Sequence, residues 1–184
     1  MTTFEQDDLE FRFPDDDCQV LPAFDEQSFY KKLCGSQVFQ AKGCDILAIY
    51  HGDCLYLIEA KDYAHAHPMK GRETPGNLAV TIAKKAFDTL ACLAVGAHHA
   101  SDETVQEFCR RALTCPKLCV VATVELARNP KAHSDKDVLY RRNLKEQLER
   151  NVKELHAWRV IVTWNSDNEN DHKFWSSCWS KDHD

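Results

Sequence analysis

The chain has 184 residues, 43% of them hydrophobic and 28% charged, with a formal net charge of −6. This is the composition and length of one ordinary globular domain spanning 1–184. No apolar run approaches the ~18 residues of a membrane span, and "MTTFEQDDLE" lacks the basic and apolar regions of a secretion signal, so a cytoplasmic protein with no membrane partner is expected.

In chain order, "FEQDDLEFRFPDDD" alternates Phe11 and Phe13 with polar residues, predicting an edge strand stopped by Pro14. "DEQSFYKKLC" reads as a short helix with Asp25 as N-cap, and Glu26 falls on the same face as Phe29, Tyr30 and Leu33. "GCDILAIYHGDCLYLIEAKDY" (43–63) is two apolar strands around a tight turn. Residues 62–77 form a long connection, a length that is usually functional or mobile.

"NLAVTIAKKAFDTLACLAVGA" is a long helix, apolar around much of its circumference. "SDETVQEFCRRAL" starts at a capping-box pattern on Ser101 and ends before Pro116. "KLCVVATVEL" is a buried strand, "SDKDVLYRRNLKEQLERNVKEL" a charged amphipathic helix, and "WRVIVTW" a last strand. The expected architecture is α/β, a mixed central sheet flanked by helices, with a core over about 24–126, a C-terminal helix and strand at 135–164 and a loosely docked polar tail at 165–184.

The net charge is unevenly spread. Residues 1–26 hold nine acids against Arg12, and 167–184 hold five against two lysines, leaving a mildly basic middle. Such a body suits a nucleic-acid partner, while the overall acidity argues against promiscuous charge-driven duplex binding. Nine cysteines without any CxxC pair fit a reducing compartment. Cys109, Cys115 and Cys119 are too irregularly spaced for a strong metal motif. Gly-rich phosphate loops, GxSxG elbows and HExxH motifs are absent from the sequence.

The candidate chemistry lies in the hairpin. A three-residue loop, His51-Gly52-Asp53, places Asp45 opposite Glu59, on one face with Lys61; a two-residue turn would put Asp45 opposite Ala60 instead. Two carboxylates about 5 Å apart repel unless a cation lies between them. Mg²⁺ needs only one or two carboxylates and keeps sites for water and phosphate, and Mn²⁺ is expected to substitute for it. A lysine two residues on orients an attacking water and stabilises charge developing on phosphate. The competing reading is a strand-entry cap at Asp45 and an ordinary ion pair between Glu59 and Lys61.

Asp45, followed after thirteen residues by Glu59-Ala60-Lys61 behind a run of apolar positions, resembles the core of the PD-(D/E)xK phosphodiesterase superfamily, the restriction-endonuclease-like fold. The resemblance covers the element order over about 24–126 and is sharpest in the hairpin. Cys44 stands where family motifs often have proline. The resemblance implies that Asp45 and Glu59 bind Mg²⁺, that Lys61 assists the nucleophile, and that Glu26 is the glutamate many members carry on the preceding helix. It also implies that one lysine of the following helix, Lys84 or Lys85, faces the site, although Lys84 is equally spaced to pair with Asp88.

His65, His67, Lys70 and Arg72 are candidates for a phosphate-facing lid, with solvated surface as the alternative. Arg141, Arg142, Lys145, Arg150 and Lys153, interleaved with glutamates, read as a solvated helix face. Trp175 and Trp179 read as an apolar clamp for the tail rather than a base-stacking pair. Two functions remain open. One is a metal-dependent nuclease acting on DNA in preference to RNA, in a defence or mobile-element setting by analogy, with specificity from dimerisation, structured substrates or a partner protein. The other is a catalytically inactive protein of the same fold that serves as an interaction module.

Overall fold

The computed structural model describes residues 1–6, 8–21, 24–65, 71–127, 134–164 and 174–179. It is a mixed α/β structure with two sheets. Strands β1 (Thr2–Gln6), β2 (Leu9–Phe13) and β8 (Ser176–Trp179) form a three-stranded sheet in the order β1-β2-β8. Strands β3 (Cys18–Leu21), β4 (Ile46–Tyr50), β5 (Cys54–Asp62), β6 (Lys117–Glu125) and β7 (Arg159–Thr163) form a five-stranded sheet in that order. The β3-β4-β5 pairings are antiparallel, and β5-β6-β7 are parallel.

Parallel neighbours need crossovers, and helices supply them. Helices α2 (Pro75–His99) and α3 (Glu103–Thr114) link β5 to β6, and α4 (Asp135–Asn151) lies between β6 and β7. The short α1 (Ser28–Cys34) precedes β4. Among the described residues, no helix is long and apolar enough to cross a membrane.

The five-stranded sheet is buried on both faces, which is why β4, β5 and β6 read as almost unbroken apolar runs. On one face, Leu47, Ile49, Leu55, Leu57, Val120 and Ala122 pack under side chains from all four α-helices. On the other, Ile46, Ala48, Tyr56, Ile58, Val121 and Ile161 pack against Leu9, Phe11, Phe13 and Trp175. The expectation of helices on both faces is therefore corrected. Helices cover one face and the small sheet covers the other.

Several local expectations change with it. β2 is the centre of its sheet rather than an edge, because β8 pairs with it from Leu9↔Trp179 to Arg12↔Ser176. Part of the tail is thus a strand, where loose docking was expected. β3 was not expected at all. Asp25 and Glu26 sit in a 3-10 turn, Phe24–Glu26, and α1 starts after Gln27, whose side chain makes no capping bond. Helix α3 is capped by Asp102, which accepts from the N–H groups of Thr104 and Val105, and not by Ser101. Helix α4 carries a true capping box, Ser134 with Asp137.

The expected three-residue turn is present. Ile46↔Ile58 through Tyr50↔Cys54 are paired, so the hairpin register is the one that sets Asp45 across from Glu59. His51 (φ 51°) and Gly52 (φ 70°) both adopt the left-handed region, which glycine reaches without Cβ strain.

Candidate active site

Asp45 enters the hairpin one residue before β4, and its backbone N–H donates to Ile58 O at 3.1 Å. Its Oδ2 accepts from the Ala60 N–H at 2.9 Å, which fixes the carboxylate beside β5. The segment leading to it is clamped at successive amides. Lys42 N–H donates to Asp88 Oδ2 (2.9 Å), Gly43 N–H to Tyr30 Oη (2.7 Å) and Cys44 N–H to Thr89 Oγ1 (2.8 Å). Side chains of α1 and α2 therefore hold Asp45 in place.

Glu59 lies on the helix-facing side of β5 at the level of Ala122 on β6. Lys85, from α2, donates to Asp45 Oδ1 at 3.1 Å and to Glu59 Oε1 and Oε2 at 2.6 and 2.7 Å. Lys61 Nζ lies 2.7 Å from Glu59 Oε1. Side-chain exposure falls from 24% at Lys61 through 17% at Lys85 and 12% at Asp45 to zero at Glu59. The two ammonium groups thus form the lid of a carboxylate pair.

The electrostatics follow from that burial. Burial, and then the Asp45 charge, push the Glu59 carboxyl up to about 7, against the pull of Lys61 and Lys85. For both lysines burial works to lower the pKa, but attraction to Glu59, with a smaller contribution from Asp45, outweighs it and raises them. Perturbed groups of this kind occur both at functional sites and in structural ion-pair networks.

The donor set fits a hard divalent cation. Asp45 Oδ1 and both Glu59 oxygens converge on one cationic position, now held by the Lys85 ammonium. Among the described residues no group of three or more His, Cys, Asp or Glu gathers as a metal site. Two carboxylates suffice for Mg²⁺, which retains waters, but not for a structural zinc site.

Of the other predicted residues, Lys85 is the α2 lysine that enters the cluster. Lys84 is 60% exposed and pairs with Asp88 at 2.6 Å. Glu26 is exposed in its 3-10 turn, and among the described residues it makes no bond to the cluster. Its expected place on a helical apolar stripe is corrected, because the α-helix begins beyond it.

Arg72 is tied to Asp137 at 3.0 Å and lies 4.1 Å over the Tyr140 ring, so it fastens the connection to α4. His65 bonds Asp62 through Nδ1 at 2.9 Å and meets the Trp179 ring edge-on at 4.4 Å. His67 and Lys70 lie outside the described residues.

Two further readings are revised. Arg141, expected on a solvated face, is buried, with its guanidinium 4.2 Å over Trp164 and Nη2 donating to Val124 O at 3.4 Å. Cys109 and Cys119 lie in the cores on opposite faces of the main sheet and so share no site. All nine cysteines are free. Tyr30, read as a stripe residue, and Asp88, read as a partner of Lys84, were not expected to position Asp45, and neither was Thr89. The available signal was Thr89 four residues after Lys85, on the stripe that Ile82, Ala86 and Leu93 bury.

No family model matches the chain, and no solved structure matches it. The chain is similar to a cysteine–tRNA ligase of Neisseria meningitidis serogroup A / serotype 4A (strain DSM 15465 / Z2491), at 28% identity over 152 residues, covering 68% of this chain and 21% of the ligase. It thus spans about a fifth of the length of the curated relative it matches.

Proposed function

We propose that the protein is a metal-dependent nuclease of restriction-endonuclease-like fold that hydrolyses phosphodiester bonds, with DNA as the favoured substrate. The observation that carries this reading is the convergence of the Asp45 and Glu59 carboxylates on one cationic position, with Lys61 beside them on the same strand face. The antiparallel β4-β5 hairpin, the crossover through α2 and the parallel β6 support it, since that order suits the core the sequence resembles.

Asp45 and Glu59 would hold Mg²⁺, which when bound supplies charge stabilisation on a phosphate oxygen and a more acidic water. Lys61, at the more exposed rim, orients the attacking water and stabilises negative charge on the phosphate. The clamp through Tyr30, Asp88 and Thr89 keeps Asp45 within reach of that geometry.

One observation favours a second reading. Every carboxylate oxygen of the pair already has a protein partner, as in a purely structural ion cluster that docks α2 on the sheet. An interaction module with a vestigial site would look the same. Cleavage separates the two. Purified protein is incubated with linear, nicked, branched and single-stranded DNA and with RNA, in Mg²⁺, Mn²⁺ or EDTA. tRNA joins the panel because the similar ligase is named for one. Metal-dependent cutting supports the nuclease; a folded protein that binds no Mn²⁺ and cuts nothing supports the module.

A further inference from the structure

Lys85 makes three contacts, to Asp45 Oδ1, Glu59 Oε1 and Glu59 Oε2. An ammonium has three N–H donors, so its capacity is used up within the carboxylate pair. The remaining Asp45 oxygen accepts from Ala60 N–H, and Glu59 Oε1 also meets Lys61. A cation that bridges Asp45 Oδ1 and the Glu59 oxygens therefore takes the position that Lys85 holds. An ammonium and a divalent ion about 3 Å apart repel strongly in a poorly hydrated site, so the two do not share it.

We propose that Lys85 is a resident counter-cation: its ammonium occupies the metal position while the protein is metal-free, leaves it when a divalent cation enters, and so sets the metal affinity of the site. This rests on the reading of Asp45 and Glu59 as metal ligands. Three features of the fold suit the role. Glu59 is wholly enclosed beside Asp45, and two facing carboxylates repel, so an ammonium between them stabilises the metal-free fold. Lys85 comes from α2, a different element from either ligand, so it can withdraw without moving the hairpin. Its side chain retains 17% exposure, which leaves a way out to the rim beside Lys61.

The consequence is a trade between apo stability and metal affinity. A neutral residue at 85 removes the competitor and leaves Lys61 to face the carboxylate pair without its second cation until metal binds. Mn²⁺ binding is measured by titration calorimetry for the wild type and Lys85→Met, with melting temperature in EDTA recorded for both. The expected result is Mn²⁺ affinity about tenfold or more higher in Lys85→Met, with a lower melting point in EDTA.

Equal or weaker Mn²⁺ binding by a folded Lys85→Met overturns the proposal while leaving the metal reading intact. Absence of Mn²⁺ binding in both proteins overturns the metal reading itself and this proposal with it. A wild-type measurement covers a variant that fails to fold. Amine acetylation, followed by mass spectrometry, is compared at Lys85 with and without Mn²⁺, with exposed Lys84 as internal control. Lys85 is expected to become more reactive when Mn²⁺ binds while Lys84 stays constant. Unchanged Lys85 reactivity in Mn²⁺-bound protein contradicts the proposal.

Discussion

Lys85 of α2 and Glu59 of β5, 26 residues apart in the chain, are joined by two contacts of 2.6 and 2.7 Å from one ammonium to both carboxylate oxygens. The pair fastens a crossover helix to the strand it follows, at the point where the sheet surface changes from hydrocarbon to charge. Leu55 and Leu57 precede Glu59 on that face, and Lys61 follows it.

The first prediction concerns pH. The Glu59 carboxyl is raised from its ordinary 4.5 to about 7 in the folded protein, by burial first and Asp45 second. Folded Glu59 then binds its proton more tightly than unfolded Glu59. The stability this gives is fully present below about pH 4.5 and is lost as pH rises through about 7. In chelator, the melting temperature of the wild type relative to Glu59→Gln should fall across that window. A flat or rising difference would mean that the lysines, not burial, set its charge.

The clamp on Asp45 gives the second. Thr89→Val keeps the volume but removes the acceptor for the buried Cys44 N–H. An unsatisfied buried amide costs about 1–3 kcal/mol, so the urea midpoint should drop by a corresponding amount. Mn²⁺ affinity should drop with it, because Asp45 follows Cys44 directly. Loss of stability with unchanged affinity would show that the clamp serves the fold alone.

Helix packing supplies the third. Glycine to alanine inside a helix ordinarily stabilises by up to about 1 kcal/mol. At Gly96 of α2 the added methyl would lie 2.7 Å from Cys109 Sγ and 2.8 Å from the Phe29 ring, both buried. Overpacking costs about 1–3 kcal/mol, so Gly96→Ala should lower stability. A higher melting temperature would show that α1 and α3 give way.

The fourth tests the second sheet. Trp175 is 4% exposed and packs on Phe13 and Tyr56. Trp175→Ala should cost about 3–5 kcal/mol in a urea denaturation. A loosely attached tail would give a change within about 0.5 kcal/mol.

The hairpin was the most legible part of the chain because a period of two and a left-handed turn leave one register that keeps both carboxylates on the same face. Lys85 was legible as one of two neighbouring lysines. The choice between them depends on the helix face buried by Ile82, Ala86 and Thr89, and Lys85 is three residues from the first and four from the last. The short strands were not legible. β3 and β8 have four residues each, and "SSCW" has no alternation to read. Arg141 looked like a surface charge because Arg142 follows it in a helix rich in charged residues. Its position between buried Asp137 and Leu144 on α4 turns it inward. The amide clamp at 42–44 depends on contacts up to 46 residues away, which no local pattern encodes.

The most direct test of the central claim is the single-turnover cleavage rate in saturating Mg²⁺ of wild type against Lys61→Ala, each verified as folded and Mn²⁺-binding. The account predicts loss of about 10²-fold or more in rate with Mn²⁺ binding retained. Equal rates in the two proteins would place the chemistry elsewhere and contradict a site built on Asp45, Glu59 and Lys61.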